Sequence, residues 1–335
     1  MNADLLPHNK TILYTVLNWG LGHATRSIPI IQELLNRNNI VIIASDGFPL
    51  KYLQEEFKQC EYKLLTSYNI KYPFKSISLN MVYNLPNIAI AYFSEKSRIK
   101  KITSEHKIDL IITDHRLGCR KSGIKSVLIS HQQQPFHDKK WIKYLFKKVH
   151  YYFIKRFDEV WVPDEPNVNL SGELSILHQS YPPLIYLGIT SRFKVDHSRQ
   201  KKYISAILSG PEPQRTDFEK KVVSLFNSLP EYEKILVRGT DVAASSIIDV
   251  PRAIIYDYLP SKKLELLLNE SHLVICRSGY SSLMDLYATK TKAIVVPTPG
   301  QAEQEYLAKH NANKFTPINE CDLLNSIDEI KKSIS

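Results

Sequence analysis

The sequence predicts an α/β protein made of two parallel-sheet domains that face one another across a cleft. Three observations carry this. Short apolar runs of strand length alternate with stretches of helical period along most of the chain, which is the pattern of repeated β-α-β units. The alternation pauses at Tyr181-Pro182-Pro183 and resumes after Thr190-Ser191-Arg192, which reads as a linker. The length of 335 residues is enough for two ordinary domains. The expected division is residues 1–190, residues 191–318, and a terminal segment 319–335 whose helix is free to cross back to the first domain.

The first predicted strand, Thr11–Leu17, runs into the glycine loop Asn18-Trp19-Gly20-Leu21-Gly22-His23. Ile28, Ile31, Leu34 and Leu35 then fall at helical spacing. Pro29 has no N–H and fits best in a first helical turn. The helix is therefore expected to begin near Ser27, a good N-cap, leaving His23 in the loop or at its junction with the helix. That loop lies at the carboxyl end of the first strand, where open parallel sheets bind ligands. Gly20 and Gly22 let the backbone approach a ligand closely. An imidazole titrates near neutral pH, so His23 is the candidate general base. The alternative is a histidine bonded to backbone for loop structure. Arg26 either meets an anionic group or is a solvated helix-start residue.

Further strands are expected at Ile40–Ala44, Leu110–Thr113, Ser126–Ser130 and Glu159–Val162. Asp114 and His131 stand just after two of them. Each either orients His23 or simply ends its strand. Residues 68–93, rich in Tyr, Asn and Pro, read as a long loop with a short helix.

In the second domain, strands are expected at Tyr203–Ser209, Ile235–Arg238 and Ala253–Tyr256, with helices over Phe218–Asn227 and Lys262–Leu268. The apolar run Leu273–Cys276 then stops at Arg277-Ser278-Gly279, and Leu283, Leu286 and Tyr287 resume at helical spacing. A strand entering a helix through Ser278-Gly279 presents backbone N–H groups and a positive helix end, a ready site for a diphosphate. Arg277, and Arg238 at a strand end, are further candidates for the leaving group. Asp285, on an otherwise apolar helix, is placed to accept from ribose hydroxyls. A last strand, Ala293–Val296, ends in Pro-Thr-Pro-Gly, and a helix opening near Gln301 sets Glu303 and Gln304 beside the first corner. Singly, these are a tight turn, a dipole-complementing carboxylate and solvated first-turn residues. The tail, Leu323–Ile334, reads as helical.

The stretch VICRSGYSSLMDLYATKTKAIVVPTPGQAEQEYLA resembles the nucleotide-sugar signature of the MurG-type glycosyltransferases, glycosyltransferase family 28. In that family a C-R-S-G corner, a helix acid and a late glutamine form the UDP-sugar site. More distantly it is similar to the donor box of UDP-glucuronosyl- and plant glycosyltransferases, which ends in Asp-Gln where this chain has Glu303-Gln304. The resemblance covers the last third of the chain well and the first fifty residues moderately. It implies the GT-B architecture of two Rossmann-like domains. It also implies inverting transfer of a sugar from a UDP-sugar to a hydroxyl, with a glycan or lipid-linked acceptor and no metal. Tyr258 and Leu259 match the stretch that holds the uracil through backbone groups; their other reading is core packing. One departure is the loop Ser209-Gly210-Pro211-Glu212-Pro213, where the family carries paired small residues and a glutamate is unfavourable beside diphosphate. The loop Gly20–Arg26 is also similar to the G-x-G-H-x-x-R of the hydrolase of pseudaminic-acid synthesis, so a nucleotide-sugar hydrolase is the rival reading. A non-catalytic sugar-nucleotide-binding subunit is a third.

Composition narrows the class. Hydrophobic content of 43% and charged content of 23% are globular values. No run approaches the ~20 apolar residues of a membrane span, and the start lacks a signal-like pattern. Cys60, Cys119, Cys276 and Cys321 are scattered without metal-ligand spacing, which points to a reducing, cytoplasmic setting and no metal or other cofactor. The net charge is +10, and residues 1–190 hold most of it, with 24 Lys+Arg against 16 Asp+Glu. An anionic partner for the first half follows. Nucleic acid is disfavoured, because no base-reading motif is present. Residues 139–157 hold seven Lys or Arg and no acid. On a helical wheel Trp141, Leu145, Val149 and Tyr152 share a face opposite Lys140, Lys143 and Lys147. That is either a core helix with a solvated face or a surface for an anionic membrane.

Overall fold

The computed structural model describes residues 1–71, 73, 77–133, 140–176, 182–240 and 250–334. Two compact units, Met1–Thr190 and Ser191–Ser335, make up the chain. Each is an open parallel sheet with helices between its strands.

In the first unit the elements run β1 (Thr11–Val16), α1 (Leu21–Asn36), β2 (Ile40–Ser45), α2 (Gly47–Glu56), β3 (Glu61–Leu64) and α3 (Ile77–Glu105). They continue with β4 (Leu110–Asp114), β5 (Lys125–Ile129), α4 (Lys140–Ile154), β6 (Glu159–Val162) and β7 (Leu184–Tyr186). The sheet order is β3-β2-β1-β4-β5-β6-β7, and every pairing is parallel. The order reverses between β1 and β4, so the loops leaving these two strands part to opposite sides and open a crevice. Register sets Val16 beside Asp114. Beneath lies an aliphatic core that includes Leu13, Ile42, Ile99 and Ile111, all buried.

The second unit repeats the plan. Its elements are β8 (Tyr203–Ile207), α5 (Gln214–Asn227), β9 (Glu233–Val237), β10 (Ala253–Tyr256), α6 (Ser261–Glu270) and β11 (Ser271–Cys276). They are followed by α7 (Tyr280–Thr289), β12 (Ala293–Val295), α8 (Ala302–His310), β13 (Thr316–Pro317) and α9 (Ile327–Ile334). The order is β10-β9-β8-β11-β12-β13, and here the reversal falls between β8 and β11. Register sets Ile207 beside Cys276, so the Ser209-Gly210 and Ser278-Gly279 loops leave neighbouring strand ends.

Four sequence expectations change. Helix α1 begins at Leu21, six residues before Ser27, so Pro29 lies in its interior and His23 in its first turn. The interior proline forfeits one helix bond, a cost of about 3 kcal/mol. It is offset by anchoring the turns before it: the Thr25 hydroxyl donates to the Gly22 carbonyl, the Ser27 hydroxyl to the His23 carbonyl, and Arg26 is locked onto Asp114. Residues 77–105, expected to be partly loop, form the single long helix α3 with Pro86 inside it. The tail is helical as expected, but Ile330 is fully buried in the second unit's core and Lys331 pairs with Glu231. Helix α9 therefore packs within its own unit. On α4 the expected separation of an apolar arc from a lysine stripe does not hold, since Val149 and Tyr152 share the outer surface with Lys148. The side chains of Lys140, Trp141, Ile142, Lys143 and Leu145 lie outside the described residues, as does Lys139. Strands β3 and β13 carry too few apolar residues to show in the sequence pattern, and β7, though wholly apolar, is only three residues long.

Candidate active site and donor site

The crevice of the first unit holds a buried polar cluster. His23 stands in the first turn of α1, and Asp114 is the last residue of the adjacent strand β4. His23 Nδ1 lies 2.9 Å from Asp114 Oδ1. Arg26, one turn further along α1, grips both Asp114 oxygens, with Nε 2.6 Å from Oδ2. Its Nη1 is 3.1 Å from His131 Nδ1. Asp114 is fully buried, whereas 17% of the His23 side chain reaches solvent. Loop Gly20, with φ +87, is the N-cap that lets the chain turn from β1 into α1.

The electrostatics of the cluster follow from this geometry. Burial alone would raise the Asp114 carboxyl, but Arg26 and then His23 outweigh it and hold the group well below the usual carboxylate range. For His23, burial and the Arg26 cation lower the imidazole below its ordinary value, and Asp114 only partly opposes them. His23 is therefore neutral at pH 7. Arg26 Nη2 also lies 2.7 Å from His23 Nδ1, so two partners compete for that nitrogen. The guanidinium proton is better served by the carboxylate, because a bond between two ionised groups is the stronger. Nδ1–H then donates to Asp114, and Nε2 keeps its lone pair.

His115 follows Asp114 directly at the end of β4. It sits at φ +58, a left-handed conformation uncommon outside glycine. Its ring meets His23 edge-on at 5.4 Å. Its buried Nε2 has no hydrogen-bond partner among the described residues. Under the same loop, Arg116 is fully buried and reaches Asp46, Glu95 and the carbonyls of Val16 and Thr66. Asp46 in turn accepts from Asn18 Nδ2 at 2.9 Å, which ties the glycine loop down.

The second unit brings its two corners together as the sequence suggested, though several side chains serve differently. Gly279 is the N-cap of α7. The Ser278 hydroxyl turns inward and donates to the Gln304 carbonyl at 2.8 Å, so only the backbone of this corner is available to a ligand. Gln304 Oε1 accepts from Thr298 N–H at 2.9 Å, which stitches the β12–α8 loop to its own helix. Gln301 is the N-cap of α8, and Glu303 sits in its first turn, half-buried. Arg277 is not a phosphate ligand here. Its guanidinium is buried, pairs with Glu320 at 2.7 Å and donates to the carbonyls of Val296, Pro297 and Gln214. It clamps three strand-end segments together. Arg238 is likewise buried, with Nε 2.6 Å from Glu219 and Nη1 on Asp257, so its charge is already met by two carboxylates. Leu259 is buried in a core cluster with Ile235 and Val237, while Tyr258 is half-buried. In the β8–α5 loop the Glu212 carboxylate pairs with Arg215 at 2.6 Å, which removes much of its repulsion for an anion.

Asp285 projects from α7 and accepts a 2.6 Å bond from Ser191 Oγ. Burial pushes its carboxyl up to about 6, against the pull of Arg192 and Ser191. Ser191 lies in the segment read as a linker, and nothing in the sequence pattern connects it to Asp285, 94 residues away.

Two parallel sheets, each with polar residues gathered at its switch point, define a protein of the α/β class. Residues 201–333 match the glycosyltransferase family 28 C-terminal domain. That match spans most of the second unit, and the chain is a glycosyltransferase of the GT-B fold. The fold is similar over 98% of this chain and 94% of that chain to the glycotransferase of kitacinnamycin, with a TM-score of 0.69 and 14% identity. It is similar to Phytolacca americana UGT2 complexed with UDP-2fluoro-glucose and pterostilbene, with a TM-score of 0.65, 12% identity, and 98% and 93% of the two chains covered. Acinetobacter baumannii MurG aligns with a TM-score of 0.58, 12% identity, and 97% and 90% covered. No curated protein matches the chain in sequence. Among the described residues no helix is long and apolar enough to cross a membrane.

Proposed function

We propose that this glycosyltransferase moves a hexosyl or N-acetylhexosaminyl group from a UDP-sugar to a hydroxyl of a glycan or lipid-linked acceptor, with inversion and without a metal ion. The observation that carries the reading is the His23–Asp114 pair, a neutral imidazole oriented by a buried carboxylate at the first sheet's switch point. His23 Nε2 takes the acceptor hydroxyl proton as its oxygen attacks the anomeric carbon, and the bond to the diphosphate breaks on the opposite face. Asp114 stabilises the imidazolium that forms, and Arg26 keeps Asp114 ionised. The departing diphosphate is met by the backbone N–H groups and positive end of α7 at Gly279. Because Gln304 Oε1 is taken by Thr298, its NH2 is the end that donates to the sugar, beside the acceptor Glu303.

The test is release of UDP from UDP-sugars with and without added glycan or lipid-linked acceptor. A transferase releases UDP slowly until an acceptor is supplied. Rapid, complete release into water alone would replace the reading with a nucleotide-sugar hydrolase. No release under any condition, with UDP still bound, would leave a sugar-nucleotide-binding subunit.

In this reading Asp285 accepts from the ribose, giving up its bond to Ser191. Asp285→Ala is expected to lose about 1.5–3 kcal/mol of UDP binding, measured by calorimetry on the folded variant. Only the ionised carboxylate accepts from both ribose hydroxyls. Wild-type UDP affinity should therefore fall as pH drops below about 6, by at most about tenfold per pH unit. The Asp285→Asn variant should show no such fall. For folding the sign is reversed. Stability carried by a raised carboxyl pKa is fully present below the unfolded value of about 4 and is lost as pH rises through about 6.

A further inference from the structure

His115 is a polar residue of the first crevice that neither the fold nor the proton transfer at His23 uses. Its backbone conformation is imposed by its neighbours. Asp114 on one side is locked onto Arg26, and Arg116 on the other turns beneath the loop to Asp46 and Glu95. Thr113 closes the turn, its hydroxyl accepting from the Arg116 N–H at 3.2 Å and donating to the Arg116 carbonyl at 3.0 Å. The residue between them is held at φ +58. Glycine meets that demand without steric cost, and asparagine at little cost. An imidazole brings a β-carbon into a region that L-residues avoid, so the turn by itself favours other residues.

The ring adds a second cost. Its Nε2 is shielded from solvent and has no hydrogen-bond partner among the described residues, and an unmet buried polar atom destabilises the fold. The other members of the cluster are tied: His23 and Arg26 to Asp114, and His131 to Arg26. The His115 ring lies edge-on to His23 with centres 5.4 Å apart, and its centre is 6.3 Å from that of His131. It therefore borders the crevice in which His23 Nε2 keeps its lone pair. Burial, then Arg26 and His23, holds its pKa well below the ordinary histidine value, so the ring is neutral at pH 7. A neutral imidazole carries one N–H and one lone pair. The residue is only half-buried, and with no hydrogen bond at Nε2 to break, its ring is free to turn toward the crevice.

Taking His23 as the acceptor base, as above, we propose that His115 determines acceptor specificity: its imidazole hydrogen-bonds a second hydroxyl, carried on the carbon next to the one that reacts. A hydroxyl both donates and accepts, so it satisfies Nε2 in either tautomer. The ring spacing fixes the relation between the two hydroxyls. Hydrogen bonds of ordinary length from rings 5.4 Å apart converge on neighbouring positions of one sugar ring, not on separate sugars. The acceptor class is therefore a saccharide vicinal diol rather than a lone alcohol. A site whose buried polar atom stays unmet until the right hydroxyl arrives discriminates against analogues that lack it.

The experiment measures transfer from UDP-glucose and UDP-N-acetylglucosamine to octyl β-glucoside, octyl β-N-acetylglucosaminide and their monodeoxy derivatives. Wild type is compared with His115→Gly and His115→Asn. The derivative that abolishes transfer marks the reacting hydroxyl. In wild type, removing the hydroxyl beside it should lower kcat/KM about tenfold. In His115→Gly the parent acceptor should fall by the same about tenfold, and removing that neighbouring hydroxyl should then cost nothing more. Asparagine, which tolerates the left-handed turn and keeps a polar end, should recover part of the loss. UDP affinity should be unchanged, and His115→Gly should be at least as resistant to denaturant as wild type. The proposal is overturned if the neighbouring hydroxyl matters as much in His115→Gly as in wild type. It is also overturned if His115→Gly is destabilised and every probe loses alike, which is the mark of a structural residue. Transfer to no probe overturns the acceptor class and leaves the transferase reading to the UDP-release test.

Discussion

His23→Ala is expected to lower turnover about 10²–10⁴-fold while UDP affinity stays within experimental error of wild type. The two quantities separate because His23 belongs to the first unit and the proposed nucleotide contacts belong to the second. Steady-state kinetics with saturating acceptor and calorimetry with UDP check the pair. A loss confined to UDP binding would move His23 to the donor side and remove the base assignment. Asp114→Asn should act in the same direction. An asparagine can present N–H to His23 Nδ1, which favours the tautomer with the proton on Nε2 and leaves no lone pair for the acceptor. The pH profile carries a further check. Burial and Arg26 hold the His23 imidazole below its ordinary value, so the acidic limb of turnover should lie below pH 6.5, the ordinary histidine value. Replacing Arg26 would move that limb upward if Asp114 remained in place.

The second large effect is on stability. Arg116→Met is expected to cost about 3–5 kcal/mol, the usual range for breaking a buried ion pair by removing one partner. Arg116 is fully buried against Asp46 and the fully buried Glu95. Burial already raises the Glu95 carboxyl even with Arg116 beside it. Without the guanidinium, two acids and the carbonyls of Val16 and Thr66 lose their donor together. Denaturant unfolding measures this directly, with Arg238→Met as a useful comparison because Asp257 is half-exposed and can rehydrate. A variant with Arg116→Met, Asp46→Asn and Glu95→Gln should recover part of the loss, since no ionised group is then left unpaired. Equal instability of the single and triple variants would mean that packing, not charge, sets the cost.

The donor corner is legible in the sequence because its information is local. A strand, a glycine corner and a helix with an acid lie within about fifteen consecutive residues, and periodicity alone separates them. The order of the two sheets is legible only as alternation. What fails is position along an element. Pro29 is a strong local signal for a helix start, and it is overridden because Arg26 gains a bidentate bond to Asp114 only if the helix has already begun. The 68–93 stretch reads as loop because its asparagines and Pro86 suppress helix propensity. Asn84 turns inward to hold Lys71, a contact that depends on where the chain arrives from outside the helix.

Fold class, the linker near Thr190 and the residue types at each strand end are written in neighbouring residues, because they depend on hydrophobic period and turn chemistry. Which charged groups are spent on the fold, and which face a ligand, is settled only by pairing between distant segments. Arg277, Arg238 and Arg26 look alike in sequence. Arg277 is taken by Glu320, 43 residues later in the chain, Arg238 by Glu219 and Asp257, and Arg26 by Asp114 across a strand switch. Whether an arginine can meet a ligand depends on a carboxylate brought to it by sheet order, and that pairing is a property of the folded chain.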